Sequence, residues 1–165
     1  MKVIFLDIDG VLNAEDDFGG RSKPNPYIDG WCGISRTKVK RLARIVNQTG
    51  AEIVLVSSWK YDYHNYLVTR CNKVGKYLRN KLRRDGLNIL DTTYGYDNNC
   101  GALRGNEITR YLEDHKEVSN WIVIDDEIFR DYDNQNIIPH LIKTDDYHGL
   151  TEELTNQAIE MLNKA

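Results

Sequence analysis

Six residues whose side chains can do chemistry stand at the ends of three apolar runs: Asp7 and Asp9 after VIFL, Ser57 and Ser58 after IVLV, and Asp125 and Asp126 after WIVI. A strand buried on both faces of a parallel sheet has no packing use for such residues, and the carboxyl ends of strands in an open α/β sheet are where ligands bind. Four carboxylates gathered at one edge repel each other and shift each other's proton affinities unless a cation sits among them. An all-oxygen donor set of this kind suits Mg²⁺ better than zinc, and a metal held there also attracts a phosphate group. Taken alone, D-x-D-G is often no more than a turn, because Asp and Gly favour turn geometry. Ser57 and Ser58 taken alone read as caps of a following helix. Their recurrence at successive strand ends turns the reading towards chemistry.

The elements that must position these residues follow from the same runs. Lys2 to Leu6 is a short, continuous apolar stretch, and Ala51 to Val56 and Trp121 to Ile124 repeat the pattern. Val39, Leu42, Ala43 and Val46 recur on one helical face, with Ser35 as N-cap and Gly50 as the stop, so the first two strands and this helix form a parallel crossover unit. Leu67 to Leu82 reads as helical and Asn88 to Thr93 as a short strand. Ile108, Tyr111 and Leu112 predict a helix that begins near Arg104 and Gly105. Ile137 to Ile142 reads as a strand at an edge, or one that starts late, because Pro139 cannot donate to a ladder. A last helix runs from Thr151 to about Leu162, with Leu154, Ala158 and Leu162 inward and Glu152 and Glu153 in the first turn, where the helix dipole favours acids.

Composition sets the class. The chain has 165 residues, 41% of them hydrophobic, with 22 Lys and Arg against 25 Asp and Glu, a net charge of −3. That is the profile of a single globular domain spanning 1–165, which the strand and helix order makes α/β, with room for a small insertion within 60–101, and its overall charge points to no polyanionic partner. Cys32, Cys71 and Cys100 form no C-x-x-C pair, which argues against a disulfide framework or a cysteine zinc site and suits a cytoplasmic location. The apolar run before Asp7 is too short for a secretory or membrane-spanning segment, so no membrane association is expected. His64, His115, His140 and His148 show no metal-ligand spacing; Trp59 reads as a packing residue, and Asp145 and Asp146 as a solvated loop, with contact at the site edge as the alternative.

With these residues in view, the chain resembles the haloacid dehalogenase (HAD) superfamily of phosphohydrolases. The family's D-x-D-G-[VT]-L motif after a strand is matched by FLDIDGVL (Phe5 to Leu12), its strand ending in Ser or Thr by Ser57, and its strand ending in paired acids by Asp125 and Asp126. The third motif, a basic residue at a helix start, is assigned to Arg104, with Lys60 as the rival. More narrowly, FLDIDGVLN, IVLVSSWK, RGNEI, IDDE and TDDYHGLT are similar to the small HAD domains of multi-domain bacterial RNA repair (Swiss Army Knife) proteins, although Lys60 stands where Arg usually follows the Trp. The resemblance implies a three-layer Rossmann-like (HAD-like) fold with a mainly parallel sheet and no large cap. It implies Asp7 as the nucleophile that forms an aspartyl-phosphate, and Asp9 as general acid and base with its carbonyl on the metal. Mg²⁺ would be held among Asp7, Asp9, Asp125 and Asp126, and phosphate bound by Ser57, Ser58, Arg104 and Lys60, with Gly10 leaving backbone room.

Substrate class is read from what surrounds such a site. The stretch of about twenty residues after the first motif suffices for a flap and is too short for a large helical cap, which favours an open site. Arg70 to Arg84 carries Arg70, Lys73, Lys76, Arg79, Lys81, Arg83 and Arg84; this is either a solvated helix face or a footprint for a phosphate backbone, with Tyr61, Tyr63, Tyr66 and Tyr77 as stacking surfaces. Arg36, Lys38, Lys40, Arg41 and Arg44 form a second basic cluster. The expectation is a Mg²⁺-dependent phosphomonoesterase acting on RNA or DNA ends or on nucleotides, with no obligate protein partner. A small-metabolite phosphatase and a non-catalytic phosphate-binding or phospho-acceptor module are the alternatives, the last disfavoured because receiver domains carry their acceptor Asp after a middle strand.

Overall fold

The computed structural model describes residues 1–16, 26–27, 33–93 and 103–164. In these residues five strands form one all-parallel sheet: β1 (Lys2–Leu6), β2 (Glu52–Leu55), β3 (Ile89–Thr92), β4 (Asn120–Asp125) and β5 (Leu141–Lys143), in the order β3-β2-β1-β4-β5. The helices are α1 (Arg36–Thr49), α2 (Trp59–Thr69), α3 (Lys73–Arg83), α4 (Arg104–Asp114) and α5 (Glu152–Asn163). The strand order reverses between β1 and β4, the switch point at which an open α/β sheet leaves a crevice above its carboxyl edge.

β1 is buried on both faces, as its unbroken apolar sequence requires. Ile4 and Leu6 join Ile53, Leu55, Ile122 and Ile124 on one side, where Leu42 of α1, Leu78 of α3 and Leu162 of α5 close the layer. Val3 and Phe5 join Val54 and Val123 on the other, beneath Ile108 and Tyr111 of α4 and the Phe129, Tyr132 and Ile137 side chains. Leu6 pairs with Leu55 on one neighbour and Ile124 on the other, so the strands end level and the residues that follow them emerge together. Ser35 and Gly50 cap α1, Thr151 caps α5 with its hydroxyl accepting from Leu154 N at 3.2 Å, and Ala158 and Leu162 point inward.

Two expectations are corrected and one is met. Leu67 to Leu82 is not one helix: α2 already starts at Trp59, the chain breaks at Arg70 (φ 59°), and Asn72 starts α3 by accepting from Gly75 N at 2.9 Å. The apolar spacing continues across the break because α2 and α3 pack on each other. A methyl group on Gly75 would lie 2.3 Å from Asp62 O, which shows how closely they approach. The expectation for Ile137 to Ile142 is met: Pro139 sits in a 3-10 turn (Ile138–His140), and β5 starts late, at the sheet edge. The second basic cluster is largely neutralised inside the fold. Lys38 is fully buried with its Nζ 2.9 Å from Asp16, Arg41 donates to Leu150 O at 2.9 Å, and Arg44 pairs with Glu152. Most of the flap stretch after Asn13, and Cys32 and Cys100, lie outside the described residues, while Cys71 is exposed. Among the described residues no helix is long and apolar enough to cross a membrane.

Candidate active site

The first motif forms a tight loop at the carboxyl end of β1. Asp7 N extends the β1–β4 ladder by donating to Ile124 O at 3.0 Å, and Leu12 N turns the chain back onto Ile8 O at 2.8 Å. The 144–150 turn clamps this loop from above: Thr144 Oγ1 donates to Gly10 O at 2.8 Å, Leu150 N to Val11 O at 2.9 Å, and Asp16 N to Tyr147 O at 3.0 Å.

Asp7 is 4% exposed and faces Arg104, whose Nη1 lies 3.3 Å from Asp7 Oδ1 and 2.7 Å from Asp125 Oδ2. Asp125 is fully buried, and its oxygens also accept from Tyr132 OH at 2.8 Å and Glu127 N at 2.9 Å. One carboxylate oxygen from each of Asp7, Asp125 and Asp126 comes within 4.8 Å of the other two. Burial, countered by Arg104 and reinforced by Asp125, pushes the Asp7 carboxyl up to about 7. Burial, a hydrogen bond with Asp146 and the Asp7 charge push Asp126 up to about 8. Asp7 and Asp125 share the Arg104 charge while the Asp7 and Asp126 carboxyls stay raised, and a compact all-oxygen donor set of this kind fits a hard divalent cation. Burial also opposes the Arg104 charge, but Asp7 and Asp125 outweigh it and hold the guanidinium more firmly protonated than usual.

Asp9 lies beside this cluster with a separate set of partners. Its Oδ1 accepts from Asn13 Nδ2 at 2.6 Å and its Oδ2 from the Trp59 indole at 3.0 Å, yet burial outweighs both bonds and raises its proton affinity. Ser57 is fully buried and its hydroxyl bonds Asp7, while Ser58 is exposed on the wall of a cleft of about 190 Å³ that Tyr61, Arg104, Glu127 and Phe129 also line.

Arg104 is aimed by α4, whose first residue it is. The preceding Leu103 offers no cap, and Asp131 takes that task by accepting from Asn106 N at 2.9 Å. Gly105 admits it, since a Cβ there would already sit 3.0 Å from the Asp131 carboxylate. The Phe129 ring supports the guanidinium from 4.1 Å.

Four side chains escaped the sequence reading. Trp59 packs as expected but also donates to Asp9, while Asp146, exposed in the loop after β5, touches the site edge through a hydrogen bond with Asp126, the alternative the sequence left open. Tyr132, Asp131 and Phe129 come from the irregular segment after β4, where no periodicity announces them. Lys60, the rival for the third motif, is buried and committed elsewhere: its Nζ pairs with Glu107 of α4 and donates to Thr93 Oγ1 at 3.3 Å. The room at Gly10 (φ 61°) is taken by Asp126, whose side chain a Cβ would meet at 2.5 Å, so this glycine seats a carboxylate rather than leaving space for phosphate. Tyr63 and Tyr66 are buried and offer no stacking surface.

A family model described as the HAD domain in Swiss Army Knife RNA repair proteins matches residues 3–155. No curated protein and no solved structure matches the chain.

Proposed function

Since the chain belongs to the family of HAD domains in Swiss Army Knife RNA repair proteins, we propose that it is a Mg²⁺-dependent phosphomonoester hydrolase that works through an aspartyl-phosphate and acts on the phosphorylated end of a nucleic acid. The observation that carries this is the convergence at one sheet edge of a buried carboxylate, Asp7, with Arg104 at 3.3 Å and two further carboxylates, beside a second acid, Asp9, that is held separately.

Asp7 attacks the phosphorus atom and forms an O–P bond as the bond to the leaving oxygen breaks. Asp9 gives its proton to that oxygen. Its raised proton affinity suits the donor role, and the Trp59 and Asn13 bonds hold the carboxyl at a fixed angle. A water then attacks the phosphorus as it gives one of its protons to Asp9, and the Asp7 O–P bond breaks to release inorganic phosphate. Arg104 and the Ser57 hydroxyl donate to the phosphoryl oxygens. Asp7, Asp125 and Asp126, with the Asp9 carbonyl, would hold Mg²⁺, which supplies charge to neutralise the phosphoryl oxygens. Lys60, already engaged by Glu107 and Thr93, supports the α2–α4 wall rather than the phosphate.

The test is phosphate release with and without Mg²⁺ from a phosphorylated oligonucleotide, free nucleotides, sugar phosphates and an aryl phosphate at matched concentrations. Release should require metal, be strongest on the oligonucleotide, and fall by at least about 10³-fold in Asp7→Asn. Release confined to small esters would favour a metabolite phosphatase, and metal-dependent phosphate binding without turnover a binding module.

A further inference from the structure

The seven cations between Arg70 and Arg84 do not act together in the fold. Arg70 and Arg79 both lean on the Tyr66 ring, at 5.5 and 5.8 Å from its centroid. Lys73, Lys76 and Lys81 of α3 and Arg84 at its C-terminal cap instead line, with Tyr27 and Tyr77, a groove of about 530 Å³. Among the described residues no acidic side chain lines it, although the whole chain is net negative, so the described wall segregates positive charge. The two rings meet edge to face at 5.7 Å; Tyr27 is 50% exposed, and Lys81 Nζ lies 5.2 Å from the Tyr77 centroid. Tyr77 is fixed by accepting from Ile34 N at 3.0 Å, and the adjoining Ser35 N donates to Leu12 O at 2.8 Å, which ties the groove wall to the first-motif loop. Among the described residues the groove shares no lining residue with the cleft beside Arg104.

We propose that this groove is a second site, apart from Asp7, that grips a single-stranded stretch of nucleic acid by its phosphates, with Tyr27 and Tyr77 as stacking faces for bases. Cations that track a backbone, interleaved with aromatic rings, are the recurring means of holding single strands without reading sequence. From Lys73 to Arg84 the helix rises about 16 Å, room for about four or five phosphates of a stacked strand. An acidic peptide would use the cations but leave the exposed Tyr27 ring without a role. This deepens the proposed function and rests on it for the end that is processed; the grip itself needs no chemistry.

The experiment measures anisotropy of labelled, unphosphorylated 12-mers of single-stranded RNA and DNA on the Asp7→Asn chain, across a salt series. Binding of RNA, DNA or both is expected, and the two arms show whether a 2′-hydroxyl contributes. Adding Lys73→Glu, Lys76→Glu and Arg84→Glu should weaken binding at least about ten-fold and flatten the slope of log K against log salt by about 2, at ~0.7 per lost phosphate contact. Tyr27→Ala alone should weaken binding about five-fold and leave the slope unchanged. In an otherwise native chain these surface changes should spare aryl phosphate hydrolysis and the melting temperature. Undiminished binding by the triple variant, equal loss on the aryl ester, or competition by poly-Glu at equal concentration would overturn the groove assignment. Strand binding with no phosphate release from any ester would instead overturn the phosphatase reading and leave the groove standing.

Discussion

At the scale of single residues, the site is built by mutual crowding of acids. Asp126 turns into the space over Gly10, and a side chain there would meet it at 2.5 Å while also straining a backbone held at φ 61°. Gly10→Ala should therefore cost about 1–3 kcal/mol. It should also displace Asp126, so that Mg²⁺ no longer raises the melting temperature; thermal melts with and without metal check both effects. A variant with native stability and a native metal response would show that the carboxylate does not need that space. Two-residue spacing separates Asp7 from Asp9 in partners as well as in position, since one faces Arg104 and the other Trp59 and Asn13. The D-x-D spacing was legible in the sequence. That an indole fifty positions away orients the second acid was not, because nothing in Ser-Ser-Trp distinguishes a donor from a core residue.

At the scale of elements, α4 depends on a cap that does not belong to it. Asp131 accepts from Asn106 N at 2.9 Å and stands where a local Ser or Asp would usually act. Asp131→Ala should destabilise the chain by about 1–2 kcal/mol. It should also lower kcat, because Arg104 is the first residue of the unmoored turn. The discriminating readout is activity under conditions where the variant remains folded by circular dichroism; full kcat there would mean that Arg104 holds its position without the cap. The same helix start supplies Glu107, whose pairing with Lys60 joins α4 to α2 across the cleft. Helices with local caps, such as α1 between Ser35 and Gly50, were legible because their signals lie next to their apolar stripe. The α2–α3 break was hidden, since the side chains that make it favourable face each other only after the two helices pack.

At the scale of the whole molecule, the sheet edge couples metal, protons and stability. Without metal, folded Asp7 and Asp126 hold their protons up to about 7 and about 8, against the ordinary 3.8. A raised folded value means that the stabilising contribution is fully present below about pH 4 and is lost as pH rises through 7 to 8. The melting temperature in EDTA should fall across this window, and the fall should shrink in Asp126→Asn. Mg²⁺ needs the ionised carboxylates, so its stabilisation should grow over the same window. At 100 times its dissociation constant it should contribute about 2.7 kcal/mol, or about 5–10 °C for a chain of this length. A metal response that is flat from pH 5 to pH 8 would count against these acids as the ligands.

The sequence by itself determined the core strands, their parallel α/β arrangement and the presence of Asp7, Asp9, Ser57, Asp125 and Asp126 at strand ends. Each of these is written in a contiguous run or a fixed short spacing. The choice of Arg104 over Lys60 against Asp7, the task of Gly10, the support from Tyr132, Phe129, Asp131 and Asp146, and the separation within one basic run of four groove-lining cations from the Arg70–Arg79 pair on Tyr66 were decided by the tertiary structure. These depend on which side chains meet across elements far apart in the chain. Such meetings are set by strand register and helix packing, and short-range spacing carries no record of them.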